Sequence, residues 1–173
     1  MMLATLRRVT DRLIGLSALI GTIALLVVVG IVLTDVIGRA LGSPLYGSLD
    51  MTSMTFVLTV FGGMALCDRQ GAHINVDLFE RMMSPRVNHV IDIIVDLLGA
   101  VIFLTMAYAV IKSSQLSLML NLRTNLLGWE IAWFQWALAA LAIVTGIAML
   151  LRAVDFIISG RPAHAPGEIR PIE

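Results

Sequence analysis

The sequence predicts an all-α membrane protein with four transmembrane helices, and three observations lead there. The first is composition. Of 173 residues, 58% are hydrophobic and only 14% charged, with a mean hydropathy of +0.92, whereas a soluble domain carries charge on about a quarter of its residues. The second is that charged residues divide the chain into apolar stretches of helical length. The third is that Lys and Arg fall unevenly on the two sides those stretches define. Formal net charge is zero, so no basic field points to nucleic acid. The lone Cys67 excludes an internal disulfide and any zinc or haem-attachment spacing, and reads as a small packing residue.

The first span covers residues 13–34, which are 22 uncharged positions after Arg7, Arg8 and Arg12. The second covers 50–67, with 17 uncharged positions between Asp50 and Asp68. The third, 87–111, contains only Asp92 and Asp96, and the fourth, 131–151, offers 21 uncharged positions between Glu130 and Arg152. A helix rises about 1.5 Å per residue, so about 20 residues cross about 30 Å of hydrocarbon. The first span exceeds the roughly 7–15-residue core of a signal peptide and no small-residue cleavage site follows it, so it reads as a retained helix.

Orientation follows from the basic residues. Four spans put both termini and the 68–86 connection on one side. That side holds Arg7, Arg8, Arg12, Arg69, Arg81, Arg86, Arg152, Arg161 and Arg170, against Arg39, Lys112 and Arg123 on the other. The bias predicts cytoplasmic termini and a cytoplasmic 68–86 connection. Residues 1–12 are then a cytoplasmic N-terminus, 13–158 a single four-helix transmembrane domain, and 159–173 a proline-bearing cytoplasmic tail expected to be disordered.

Between the second and third spans lies a short charged stretch. Residues 73–78 alternate polar and apolar, but a lone strand in such a protein would have no partner for its backbone groups. At about 100° per residue, Ile74, Val76, Leu78, Phe79, Met82 and Met83 share a broad apolar arc. His73, Asp77, Glu80 and Arg81 share the opposite arc, and only Asn75 is misplaced. The pattern predicts an amphipathic interfacial helix over about 73–83, with Phe79 and Met82 toward lipid or a neighbouring subunit. Ser84 and Pro85 then supply the cap and first turn of the third span. His73 and Asp77 sit one turn apart. A metal site needs at least a third ligand, and the sequence offers no clear one, so the pair reads as a solvated or partner-facing contact.

Those residues carry a resemblance. A span ending Phe61-Gly62-Gly63-Met64-Ala65-Leu66, followed by Gly71-Ala72-His73-Ile74-Asn75-Val76-Asp77-Leu78, resembles the small membrane subunit (DctQ-like) of tripartite ATP-independent periplasmic (TRAP) transporters. Asp35-Val36-Ile37-Gly38-Arg39, Gly42-Ser43-Pro44 and the acid at Asp50 fit the same pattern, so the resemblance covers roughly residues 14–155. It implies a scaffold held in the bilayer beside a large membrane subunit. That subunit would contain the substrate site and the sites for sodium, the coupling ion, and a soluble periplasmic protein would deliver an organic acid to it. It also implies a multi-pass protein of the bacterial inner membrane, and no cofactor for the small subunit itself.

The remaining polar residues each admit a structural and a functional reading. Asp92 and Asp96 lie on one face of the third span, about 10 and 16 Å along it from Pro85. A carboxylate at full depth costs about 2.5–3.5 kcal/mol on insertion scales. Cation coordination wants more oxygens than two carboxylates supply, so both read as contacts to Arg or hydroxyl groups on a facing helix. Arg39 and Asp50 flank the first periplasmic turn; they either pair across it or face an arriving protein. Arg123 and Glu130 carry the same two readings. Trp129, Trp133 and Trp136 recur at i, i+4, i+7 and are expected to anchor the fourth span, with rings toward the membrane and N–H groups toward water.

Two rival functions fit less well. A carrier with haem between helices would need His ligands inside spans, but His73 and His89 fall at the membrane edge and His164 in the tail. An enzyme would need a Ser-His-Asp or Cys-His set on one side of the membrane, which the sequence does not offer. A stand-alone small carrier or homo-oligomeric membrane protein would show paired Gly- or Pro-broken spans, which this chain lacks.

Overall fold

The computed structural model describes residues 2–69 and 85–159. Among them are four helices: α1 (Met2–Ala40), α2 (Ser48–Arg69), α3 (Pro85–Met119) and α4 (Ile131–Ser159). All four are long and apolar enough to cross a membrane. The helix expected over 73–83, with His73, Asp77, Phe79 and Met82, lies outside the described residues, as do the Ser84 cap and the tail from residue 160.

Each helix continues beyond the apolar stretch that marks it in the sequence. At 39 residues, α1 runs about 58 Å. α3 passes Lys112 and carries Ser113, Ser114, Gln115 and Ser117 on to Met119. The ends come where the backbone can satisfy its last carbonyls. After α1, Gly42 takes a φ of 81°, Ser43 N–H donates to the Gly38 carbonyl at 2.8 Å, and Gly42 N–H donates to that of Arg39 at 3.2 Å. This is the Schellman closure, and the left-handed residue is the glycine it favours. α3 ends the same way on Asn121, at φ 49°, where Leu122 N–H reaches the Ser117 carbonyl at 2.9 Å.

The helices form two antiparallel hairpins, α1–α2 and α3–α4, and α4 alone packs against all three others. The inward residues follow steps of three and four. On α1 the buried set is Thr10, Ile14, Ser17, Gly21 and Ala24; on α3, Asp96, Ala100, Phe103, Ala107, Ser114 and Ser117. An average step of 3.5 is the repeat of left-handed, coiled-coil-like packing. The seams are built of small residues, because lipid is as apolar as leucine and association depends on close backbone approach. The closest approach is between Gly21 and Gly62, where a Cβ on Gly62 would stand 2.7 Å from the Gly21 Cα. Ala100, Phe103, Ala107, Ala142 and Met149 form the α3–α4 core. Ile14, Ala65 and Ala148 join the two hairpins. The outward faces, including Leu16, Leu26, Ile102 and Ile157, are exposed and apolar.

Candidate functional site

Among the described residues, polar groups gather at two places: a cap where the 41–47 and 120–130 loops meet, and an ion pair inside the α3–α4 hairpin.

The cap is assembled by carboxylates that accept from backbone and side chain. Asp35, in the last turns of α1, accepts from Arg39 Nε at 2.9 Å and from the Leu45 amide at 3.1 Å, folding the 41–47 loop back onto its own helix. Asp50, in the first turn of α2, accepts from the amides of Leu126 and Leu127 at 2.8 and 3.1 Å. Tyr46 O–H donates to the Leu126 carbonyl at 3.0 Å. Gly47, at φ 75°, leaves room for Leu127; a Cβ there would meet its Cδ2 at 2.6 Å. Within the second loop, Thr124 N–H donates to the Trp129 carbonyl at 2.8 Å, and Trp129 N–H donates to Thr124 Oγ1 at 3.0 Å. Arg123 and Glu130 face each other as an antiparallel bridge, with Nη2 and Oε1 4.0 Å apart.

This settles which of the paired readings the geometry takes. Arg39 and Asp50 do not meet: Arg39 pairs one turn back with Asp35, and Asp50 holds the opposite loop. Sequence order allows a pair across one short turn, but the first-turn position of Asp50 points it at amides 76 and 77 residues away. Arg123 and Glu130 do meet, as flanks of one loop. The Arg39 and Arg123 side chains are 66% and 58% exposed, so the cap presents two cations at its surface.

The tryptophans differ from expectation in where their N–H groups go. Trp136 Nε1 donates to Ser114 Oγ on α3 at 2.8 Å, and Trp133 Nε1 donates to Glu130 Oε2 at 3.1 Å. Both N–H groups have protein acceptors. Their rings stack edge to face at 5.2 Å, and Trp129 lies over Phe134 at 6.2 Å. Gln135 Nε2 donates to Ser113 Oγ at 3.2 Å. The polar end of α3 is thus knitted to the start of α4, which explains why α3 stays helical past Lys112.

At the other end of the same hairpin, Asp96 Oδ2 lies 3.4 Å from Arg152 Nε, with side chains 6% and 27% exposed. The Arg152 guanidinium sits over the Phe156 ring at 5.4 Å, and His89 meets the same ring edge-on at 6.4 Å. Asp92, one turn from Asp96, is half-buried. The sequence does not single out Arg152 or Asp35 as partners of other side chains. Arg152 is the first charge after the fourth span, on the side of the bilayer where Asp96 enters, and Asp35 stands at the i,i+4 spacing from Arg39. Among the described residues no three His, Cys, Asp or Glu side chains gather as metal ligands would.

A family model described as tripartite ATP-independent periplasmic transporters, DctQ component, matches residues 28–161, from the middle of α1 to just past the end of α4. No curated protein matches the chain.

Proposed function

The chain belongs to the DctQ component family of tripartite ATP-independent periplasmic transporters, and from that membership we propose that it is the small, non-catalytic scaffold subunit of such a transporter. In this reading it sits in the bacterial inner membrane with both termini in the cytoplasm, as the nine-to-three distribution of Lys and Arg favours. A large membrane subunit beside it holds substrate and sodium. A soluble periplasmic protein brings an organic acid to the complex, and this chain stays still while the large subunit moves.

The observation that carries the scaffold reading is how the carboxylates are employed. Asp35 binds Arg39 and Leu45, Asp50 binds the Leu126 and Leu127 amides, Asp96 faces Arg152, and Glu130 faces Arg123 and Trp133. Each acid ties one part of the chain to another, which is the work of a brace. The cap, at the periplasmic end in this orientation, carries Arg39 and Arg123 outward and so offers cations to an acidic patch on a delivering protein.

Reconstitution tests it. Vesicles holding this chain, the large subunit and the soluble protein should accumulate an organic acid when a sodium gradient is applied. Vesicles lacking either membrane chain should not. Solute uptake by this chain alone would identify it as a carrier in its own right and end the scaffold reading.

A further inference from the structure

The uncharged run of α3, residues 97–111, is 15 positions long. It covers only about 22 Å, short of a hydrocarbon layer of about 30 Å. The helix has to take in either Asp96 at one end or Lys112 at the other. Three observations say which. Lys112 is exposed, its Nζ lying 5.9 Å from the exposed ring of Tyr108. Asp96 is buried and faces a cation on the neighbouring helix. The outward apolar surface also does not stop at the ion pair. On α3 it runs back through Val95, Ile94, Ile91 and Val90, and on α4 it runs forward through Val154 to Ile157 and Ile158, all exposed.

From this we infer that the Asp96–Arg152 pair lies inside the hydrocarbon layer and sets the membrane register of the α3–α4 hairpin. The crossing segments become about 91–111 of α3 and about 137–157 of α4, some six residues further along α4 than its charge-free stretch marks. The two segments agree with each other. Ser113 and Ser114 bond to Gln135 and Trp136, so Lys112 is level with about residue 137, and 21 residues from either point span about 31 Å. The pair then sits about 7–9 Å below one surface. Asp92 and Asp155 fall at that surface, where water can reach them. At the other surface Trp129, Trp133 and Gln135 fall among headgroups, where amphipathic side chains are favoured. Arg152 is the positioning residue: its charge makes the depth of Asp96 tolerable, and its stem reaches toward the facing helix as long basic side chains do.

The test uses the full-length chain in opened membranes of the expressing cell, so that a membrane-impermeant maleimide reaches both faces. In a Cys67→Ser background, Val154→Cys should label at least tenfold more slowly than Gln115→Cys, which lies beyond Lys112. Adding Arg152→Leu should raise the Val154→Cys rate several-fold, because an unpaired Asp96 pulls that end of the hairpin toward water. Adding Asp96→Leu as well should restore the slow rate. Labelling of Val154→Cys as fast as Gln115→Cys would overturn the register, and a rate indifferent to Arg152→Leu would show that the pair does not set it. Should Arg152→Leu fail to accumulate, recovery of the chain in the Asp96→Leu/Arg152→Leu double variant supports the inference, and its continued absence refutes it. None of these rates depends on transport, so the outcome is separable from the fate of the scaffold reading.

Discussion

Gly21 and Gly62 illustrate what single residues decide here. Each lacks a Cβ where the other's backbone passes: one on Gly21 would stand 2.8 Å from the Gly63 nitrogen, and one on Gly62 would stand 2.7 Å from the Gly21 nitrogen. Backbone cannot yield as the end of a side chain can, so an alanine at either site must push α1 and α2 apart. Overpacking of this kind costs about 1–3 kcal/mol. Gly62→Ala should therefore lower the thermal midpoint of the purified chain measurably. Gly15→Ala and Gly30→Ala, where nothing lies within 4 Å, should match the parent or exceed it slightly, since alanine is the better helix former. A Gly62→Ala midpoint equal to that of Gly30→Ala would mean the helices are not in contact there. Both glycines are visible in the sequence, as are Gly15 and Gly30. Which of the four is pressed against a partner depends on how two distant stretches align.

At the scale of the element, α3 and α4 behave as one hairpin because they are fastened near both ends. Trp136 is bonded to Ser114 at one end and Arg152 lies against Asp96 at the other. The Ser114 side chain is fully enclosed and also donates to the Ile111 carbonyl at 2.7 Å. Ser114→Ala removes the acceptor and leaves the Trp136 N–H unmatched in a partly buried site, a loss of about 1–3 kcal/mol. The expected consequence is a lower melting temperature and altered Trp136 fluorescence, while Ser114→Thr, which keeps the hydroxyl on a bulkier stem, should restore the emission spectrum. An unchanged spectrum in Ser114→Ala would show that the indole does not depend on this hydroxyl. The element as a helix was legible: an apolar stretch bounded by Pro85 and the Lys112–Ser117 polar run marks it. Its true end was not. Serines and a glutamine look like the close of a span until α4 supplies bonding partners for them.

For the molecule as a whole, α4 is the hub. Ala148 meets Ile14 of α1 and Ala65 of α2 in the only cluster of buried apolar residues that joins both hairpins among the described residues. Leucine at that position adds a side chain with no room waiting, and the two hairpins should separate at their seam. Ala148→Leu is expected to reduce the yield of folded chain and of its complex with the large subunit at least several-fold, read by co-purification. Ala140→Leu, on the exposed face of α4, serves as the control and should leave both yields unchanged if that face meets lipid. Equal yields for the two variants would remove α4 from its central place. The scaffold role proposed for the chain also requires this connectivity, since a brace made of two loosely joined hairpins would move with the load placed on it.

By itself, the sequence determined four helices long and apolar enough to cross a membrane, because hydrocarbon imposes a length and a polarity that composition and charge spacing record directly. The resemblance to small TRAP transporter subunits came separately, from the motif residues around Asp35–Asp50 and Phe61–Leu78. The sequence did not determine where the polar groups go. Asp50 reaches amides 76 and 77 residues away, Arg39 turns back to Asp35, and Asp96 meets Arg152 across two helices. Such partners are chosen by the register of one helix against another. That register is decided by close backbone approach at glycines and alanines, a property of pairs of surfaces which no single stretch of chain contains.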